Sequence, residues 1–211
     1  LIVIGLLVLT VALAIPAFNA IARSSSIDSA TNQINAYFAD ARAQAVGLQQ
    51  TRGVIMFRDA ASGRVTLAQV HYPEDRSFPT LDLFGGRDEM VLPQNVAVRA
   101  LPSNSTTALT SQYENWPEYC IVLFDGNGKV LFEQLQVPTN SNLYRRLTQV
   151  VTNPPATTIP PAGTTFSHMG FILYEQSEFE DAPAGTQRDW LKDNGVPFIV
   201  NRYNGSLLKG E

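Results

Sequence analysis

The sequence predicts an α+β fold: one long N-terminal α-helix, apolar in its first half, packed through its second half on an antiparallel β-sheet head. Three observations predict it. Residues 1–22, LIVIGLLVLTVALAIPAFNAIA, contain no charged side chain. From Arg23 onward apolar residues recur every three or four positions with no break in spacing. Beyond Gly53 the pattern changes to short apolar runs separated by Gly-, Asn- and Asp-containing turns. Several strands after a single helix argue for α+β rather than alternating βαβ units.

As a helix, residues 1–22 would be roughly 33 Å long, about the thickness of a bilayer hydrocarbon core. Thr10 and Asn19 are its only clearly polar side chains, and Pro16 removes a backbone donor and predicts a kink. Three readings compete. A cleaved signal peptide needs a basic start and a small-residue cleavage site; Ala20-Ile21-Ala22 suits the site, and no basic start is visible. An ordinary single-pass anchor is the second. The third is a helix that also packs in a protein core, and the following residues favour it.

Ile27, Ala30, Ile34, Phe38, Ala41, Ala45 and Leu48 continue at helical spacing, with Asp28, Asn32, Gln33, Asn35, Asp40, Arg42 and Gln44 between them. That is one apolar stripe on an otherwise polar helix. Ile27, Ile34, Phe38, Ala41, Ala45 and Leu48 are the expected helix-to-sheet contacts, the two alanines allowing close approach. Arg52-Gly53 is the expected stop, so the helix would run from Leu1 to about Gln50. The alternative is two helices, the second capped within Ser24-Ser25-Ser26.

This N-terminal segment resembles that of the type IV pilin and type II secretion pseudopilin superfamily. The likeness lies in the apolar run, in Ala14-Ile15-Pro16-Ala17-Phe18, in Gly5, and in the amphipathic continuation, over about 50 residues. A looser resemblance to the GspH/FimT group of minor pseudopilins lies in residues 34–57 and 92–98, in CIVLFDGNGK (120–129) and in FIVNRYNGSL (198–207). The resemblance implies a filament-core and membrane helix carried by Leu1, Ile2, Val3, Ile4, Gly5, Leu6, Leu7, Val8, Leu9, Val11, Leu13, Ile15, Pro16 and Phe18. It implies residues 23–52 as the helix continuation and 53–211 as the head. The implied partners are identical or related pilin subunits, the inner membrane before assembly, and a prepilin peptidase and assembly platform. The implied location is the bacterial inner membrane, then a periplasmic or extracellular filament. The family's processing site and glutamate are expected just ahead of Leu1.

In the head, Val54–Arg58 and Val65–Tyr72 flank Asp59–Gly63 as a hairpin. Val91–Leu101 reads as a strand interrupted by Pro93. Cys120–Phe124 and Lys129–Leu135 flank Asp125-Gly126-Asn127-Gly128, the clearest hairpin signal. Phe171–Glu175 and Pro197–Tyr203 are further strands, and Asn204-Gly205 is a tight turn. Pro102–Pro117 and the proline-rich Thr152–Thr165 read as loops, and Asn142–Val150 as a short helix.

Composition narrows function. The 211 residues are 45% hydrophobic, so a core is readily built. Only 16% are charged and the formal net charge is −4, against a surface that neutralises phosphates. The end of the chain offers only Lys209, balanced by Glu211, so a nucleic-acid partner is not expected. Cys120 stands alone, precluding an intrachain disulfide, and its apolar surroundings predict a buried thiol. His71 and His168 are the only histidines, and no Gly-x-Ser-x-Gly elbow exists; no catalysis and no cofactor are expected. Asp125, Asn127 and Glu133 invite a calcium reading, but the run lacks the full loop pattern. Glu175, Glu178, Glu180 and Asp181 read as a solvated acidic face. A filament subunit is the expected function. A membrane-anchored adhesive module and a DNA-binding minor pilin are the alternatives.

Overall fold

The computed structural model describes residues 2–59, 62–71, 81–85, 88–101, 119–137, 163–183 and 185–210. It is α+β. Helix α1, Ile2–Leu48, is 47 residues long and runs uninterrupted through Pro16 and the serine run. At 1.5 Å per residue it is about 70 Å long. A single helix therefore replaces the two-helix alternative.

The helix ends earlier than the Arg52-Gly53 signal predicts. Gln49 takes the left-handed conformation at φ 54. Its backbone N–H donates to Val46 O at 3.3 Å, and that of Gln50 to Ala45 O at 3.1 Å. This is the Schellman pair that satisfies the last helical carbonyls, built on glutamine instead of glycine. Gln49 Nε2 adds bonds to Val46 O and Gly126 O, at 2.8 and 3.1 Å, that favour the conformation. Gly53 lies instead inside the first strand.

Twelve strands follow among the described residues: β1 Arg52–Arg58, β2 Val65–His71, β3 Asp82–Leu83, β4 Met90–Val91, β5 Val96–Ala100, β6 Tyr119–Phe124, β7 Val130–Leu131, β8 Gln134–Val137, β9 Gly163–Phe166, β10 Gly170–Glu175, β11 Val196–Val200 and β12 Leu207–Lys209. Two short helices, α2 Gln176–Asp181 and α3 Gln187–Asn194, lie between β10 and β11. One sheet has the order β3-β2-β1-β6-β7, with β4 also on β2; a second has β12-β11-β10-β5; β8 and β9 form a third. All the pairings are antiparallel.

Three expected elements divide. The run around Pro93 becomes β4 in the first sheet and β5 in the second, because proline cannot donate to a ladder and Asn95 reverses the chain at φ 68. Lys129–Leu135 splits into β7, on β6, and the start of β8, on β9. The end of the expected loop 152–165 is strand β9. The expected helix at 142–150, the loop 102–117 and most of the loop 152–165 lie outside the described residues.

Side-chain alternation assigns each face of the two larger sheets. Val54, Met56, Cys120, Val122 and Phe124 of the first sheet share a core with Val98, Ala100, Phe171, Leu173 and Phe198 of the second. Helix α1 enters this same core. Ile55, Phe57, Ile121 and Leu123 turn to the other face, against Ala68, Val70, Leu81 and Leu135. A sheet covered on both faces needs apolar residues at every position, which is why VIMF and CIVLF are continuous rather than alternating. The far face of the second sheet packs Ile172 and Tyr174 against Phe179 and Leu191 of α2 and α3.

Among the described residues no helix is long and apolar enough to cross a membrane. This corrects the expected inner-membrane location and single pass. A span needs about 20 consecutive apolar residues. From Ser25 onward α1 alternates buried apolar positions with exposed polar ones such as Asp28 and Asn32. That is the signature of a helix lying on a protein surface.

Candidate assembly helix and its seat

The described stripe of α1 is where the sequence placed its main contact. Ala30, Ile34 and Ala45 are fully buried, and Phe38 and Ala41 nearly so. Ile27 is partly buried against the same core. Phe38 bridges the two sheets, its ring edge-on to Phe124 at 6.1 Å and to Phe171 at 6.2 Å. Burying a side chain of this size contributes roughly 2–3 kcal/mol. Leu48 does not belong to the seat: it is 53% exposed. The Schellman turn lifts the chain off the sheet one residue later, so the last stripe position faces outward.

Polar ties flank the stripe. Gln69 Nε2 of β2 donates to Asp40 Oδ2 at 2.7 Å, and Gln44 Nε2 donates to the same oxygen at 2.9 Å. Tyr37 Oη donates to Asp88 O at 3.2 Å. Arg42 Nε donates to Gly128 O at 2.8 Å. Together with the Gln49–Gly126 bond, this makes the Asp125–Gly128 turn a clamp on the end of α1. The sequence signalled the turn but not its partner, since nothing local to DGNG encodes contact with a helix some eighty residues away.

The first-half residues are placed by backbone alone. Ile2, Val3, Ile4, Gly5, Leu6, Leu7, Val8, Leu9, Val11, Leu13, Ile15, Pro16 and Phe18 all fall within α1, and Val3 is 72% exposed. Leu1 lies outside the described residues.

The other candidates serve the fold. Asp125 Oδ1 accepts the backbone N–H groups of Asn127 and Lys129 at 2.9 and 2.8 Å, so the turn itself uses the oxygen a cation would need. No group of three or more His, Cys, Asp or Glu suited to a metal occurs among the described residues. Cys120 is fully buried, and burial pushes its thiol far above the usual range. The acidic run is only partly a free face: Glu175 accepts from Asn95 Nδ2 at 2.7 Å, and Glu180 pairs with Arg58 at 3.4 Å. Its residues belong to β10 and α2. Sequence reading missed α2 and α3 because each spans too few turns for a periodic pattern. Glu178, Asp181, Asp189, Trp190 and Asp193 line an open groove of about 580 Å³ between them.

His168 is buried in the short link between β9 and β10. Its Nδ1 accepts the Ile121 N–H at 3.1 Å, which assigns the ring proton to Nε2. Burial pulls its pKa down to about 4. Above pH 6.5 the ring is neutral in both folded and unfolded chains. Between pH 6.5 and 4 only the unfolded chain takes the proton, so stability falls as pH drops through that window and levels off below it. Urea unfolding at pH 7.5 and 5 should show a loss of about 2 kcal/mol from this residue. His71, also lowered mainly by burial, acts in the same direction. His168→Gln should flatten the dependence; an unchanged slope would remove His168 as its cause.

Fold and seat define the class: an α+β protein with a long N-terminal helix seated on antiparallel sheets through its second half. No family model, no characterised protein and no solved structure matches the chain.

Proposed function

We propose that the chain is a structural subunit of a type IV pilus-like or type II secretion pseudopilus-like filament. The observation that carries this reading is the division of α1. It is one continuous helix, yet its described contacts with the head core begin only at Ile27. The sequence ahead of that point has no charged residue before Arg23. An apolar helical segment of this length needs an apolar partner, and burial against the same segment of other copies meets that need. Identical or related subunits are then the partners, and assembly is the activity.

The resemblance of residues 1–50 to pilin N termini supports the same reading, as does the firm attachment of the helix's second half. A subunit that bears load along a filament must transmit it from helix to head. The Phe38 bridge and the Asp125–Gly128 clamp provide that coupling on both sides of the stripe.

Electron microscopy of the purified full chain tests the proposal. Filaments are expected for the wild-type chain. Leu9→Lys should abolish them while leaving the head's unfolding transition unchanged. Filaments as abundant in Leu9→Lys, or a wild-type chain that stays monomeric at every concentration, would sink the reading.

A further inference from the structure

Beyond the last turn of α1, β1 begins with a buried cation. Arg52 stands opposite His71 on β2 and Phe124 on β6, and His71 stands opposite Asp82 on β3. The Arg52 side chain is only 7% exposed. Its guanidinium carbon lies 4.1 Å from the centroid of the Phe84 ring, whose face covers one side of the planar group. Phe84 also meets His71 edge-on at 5.7 Å, so one ring organises both residues.

Hydrogen bonding around this cation is incomplete. Arg52 Nη2 donates to Gln50 Oε1 at 3.1 Å. Nε and Nη1 are buried with no hydrogen-bond partner, and so is Nδ1 of the adjacent His71. Among the described residues no carboxylate forms an ion pair with Arg52. Asp82, opposite His71 on β3, turns Oδ1 to its own neighbour, accepting the Leu83 N–H at 2.8 Å. Buried donors left unpaired are rare, and a buried charge without a counter-ion is costlier still. Arginine cannot escape by losing its proton.

We propose that Arg52 and His71 form a binding site for a small carboxylate monoanion. An anion supplies what both side chains lack: a counter-charge for the guanidinium and acceptors for its free N–H groups. Protonated His71 would add a donor from the neighbouring strand. A planar monoanion suits the site better than a tetrahedral dianion. Phe84 confines approach to the guanidinium edge, and the site offers one fixed positive charge with Asp82 nearby. The site stands whether or not the chain forms filaments.

Acetate is the probe, added to the full chain against sodium chloride of equal ionic strength. Acetate is expected to raise the Tm and to shift the His71 ring resonances, saturably and with one dissociation constant. Phosphate should bind at least ten-fold more weakly. Acetate should also raise the His71 titration midpoint, since the anion stabilises the imidazolium that Arg52 disfavours; Asp82 acts in the anion's direction already in the free protein. Arg52→Met should abolish every acetate response yet keep a wild-type or higher Tm, because an uncompensated charge has gone. His71→Gln, the second variant, should fold and bind acetate about ten-fold more weakly. Equal effects of acetate and chloride on the wild type, or an acetate response that survives Arg52→Met, would overturn the proposal. If Arg52→Met fails to fold, an undiminished response in His71→Gln overturns it.

Discussion

Ile34→Asp is expected to lower the Tm of the head by roughly 10–20 °C. Ile34 is fully buried, in the core that joins the helix to both sheets. The substitution loses about 2–3 kcal/mol of apolar burial. It also encloses a carboxylate without a counter-ion, which costs several kcal/mol more. The sum, roughly 5 kcal/mol or more, is comparable to the whole stability of many domains. Leu48→Asp is the control. It places the same residue type on the same helix, one stripe position beyond Ala45, where the side chain is 53% exposed. Only an unfavourable interaction with the helix C-terminus remains, below about 1 kcal/mol. Thermal unfolding of the two variants should therefore separate widely. Equal melting temperatures would show that the stripe is not the seat of the helix.

Gly53→Ala should destabilise by about 3 kcal/mol, although it adds a single methyl group. A Cβ at Gly53 would lie 2.3 Å from Val122 O and 2.5 Å from Leu123 Cδ2. The leucine can rotate away; the carbonyl cannot, because it belongs to β6, which is paired to β1 over six residues. Relief therefore requires the two central strands of the sheet to separate locally. Gly47→Ala tests the argument with the opposite sign. Gly47 lies in the last turn of α1 with nothing within 4 Å of its would-be Cβ. Alanine there should stabilise by about 0.5–1 kcal/mol, through helix propensity alone. Chemical denaturation of both variants gives the comparison. A Gly53→Ala chain as stable as wild type would mean that β1 and β6 are not so closely apposed.

Gly53 also shows where sequence reading stops. Arg52-Gly53 was a reasonable helix terminator, since glycine commonly takes the left-handed position. The helix instead stops on Gln49, which reaches that conformation with help from Gly126, a residue remote in sequence. Glycine at 53 answers to a neighbouring strand. Leu48 fails as a contact for a related reason: spacing predicts which residues share a helix face, but not where the underlying sheet ends. The cluster at Arg52 and His71 was likewise hidden. Each residue looks ordinary in its own strand, and only the pairing of β1 with β2 sets them side by side.

By itself, the sequence determined the α+β class, the leading helix and the main strands that follow it. The 3.6-residue period from Ile27 to Ala45 requires an amphipathic helix, and the apolar runs with glycine turns after it require antiparallel strands. Local periodicity carries that information because each residue's direction follows from its own backbone. The tertiary structure alone decided how the strands divide between sheets, which turn clamps the helix, and where a cation is buried with two of its nitrogens unpaired. Those outcomes depend on contacts between residues far apart in the chain, where the deciding quantities are steric fit and the satisfaction of buried polar groups.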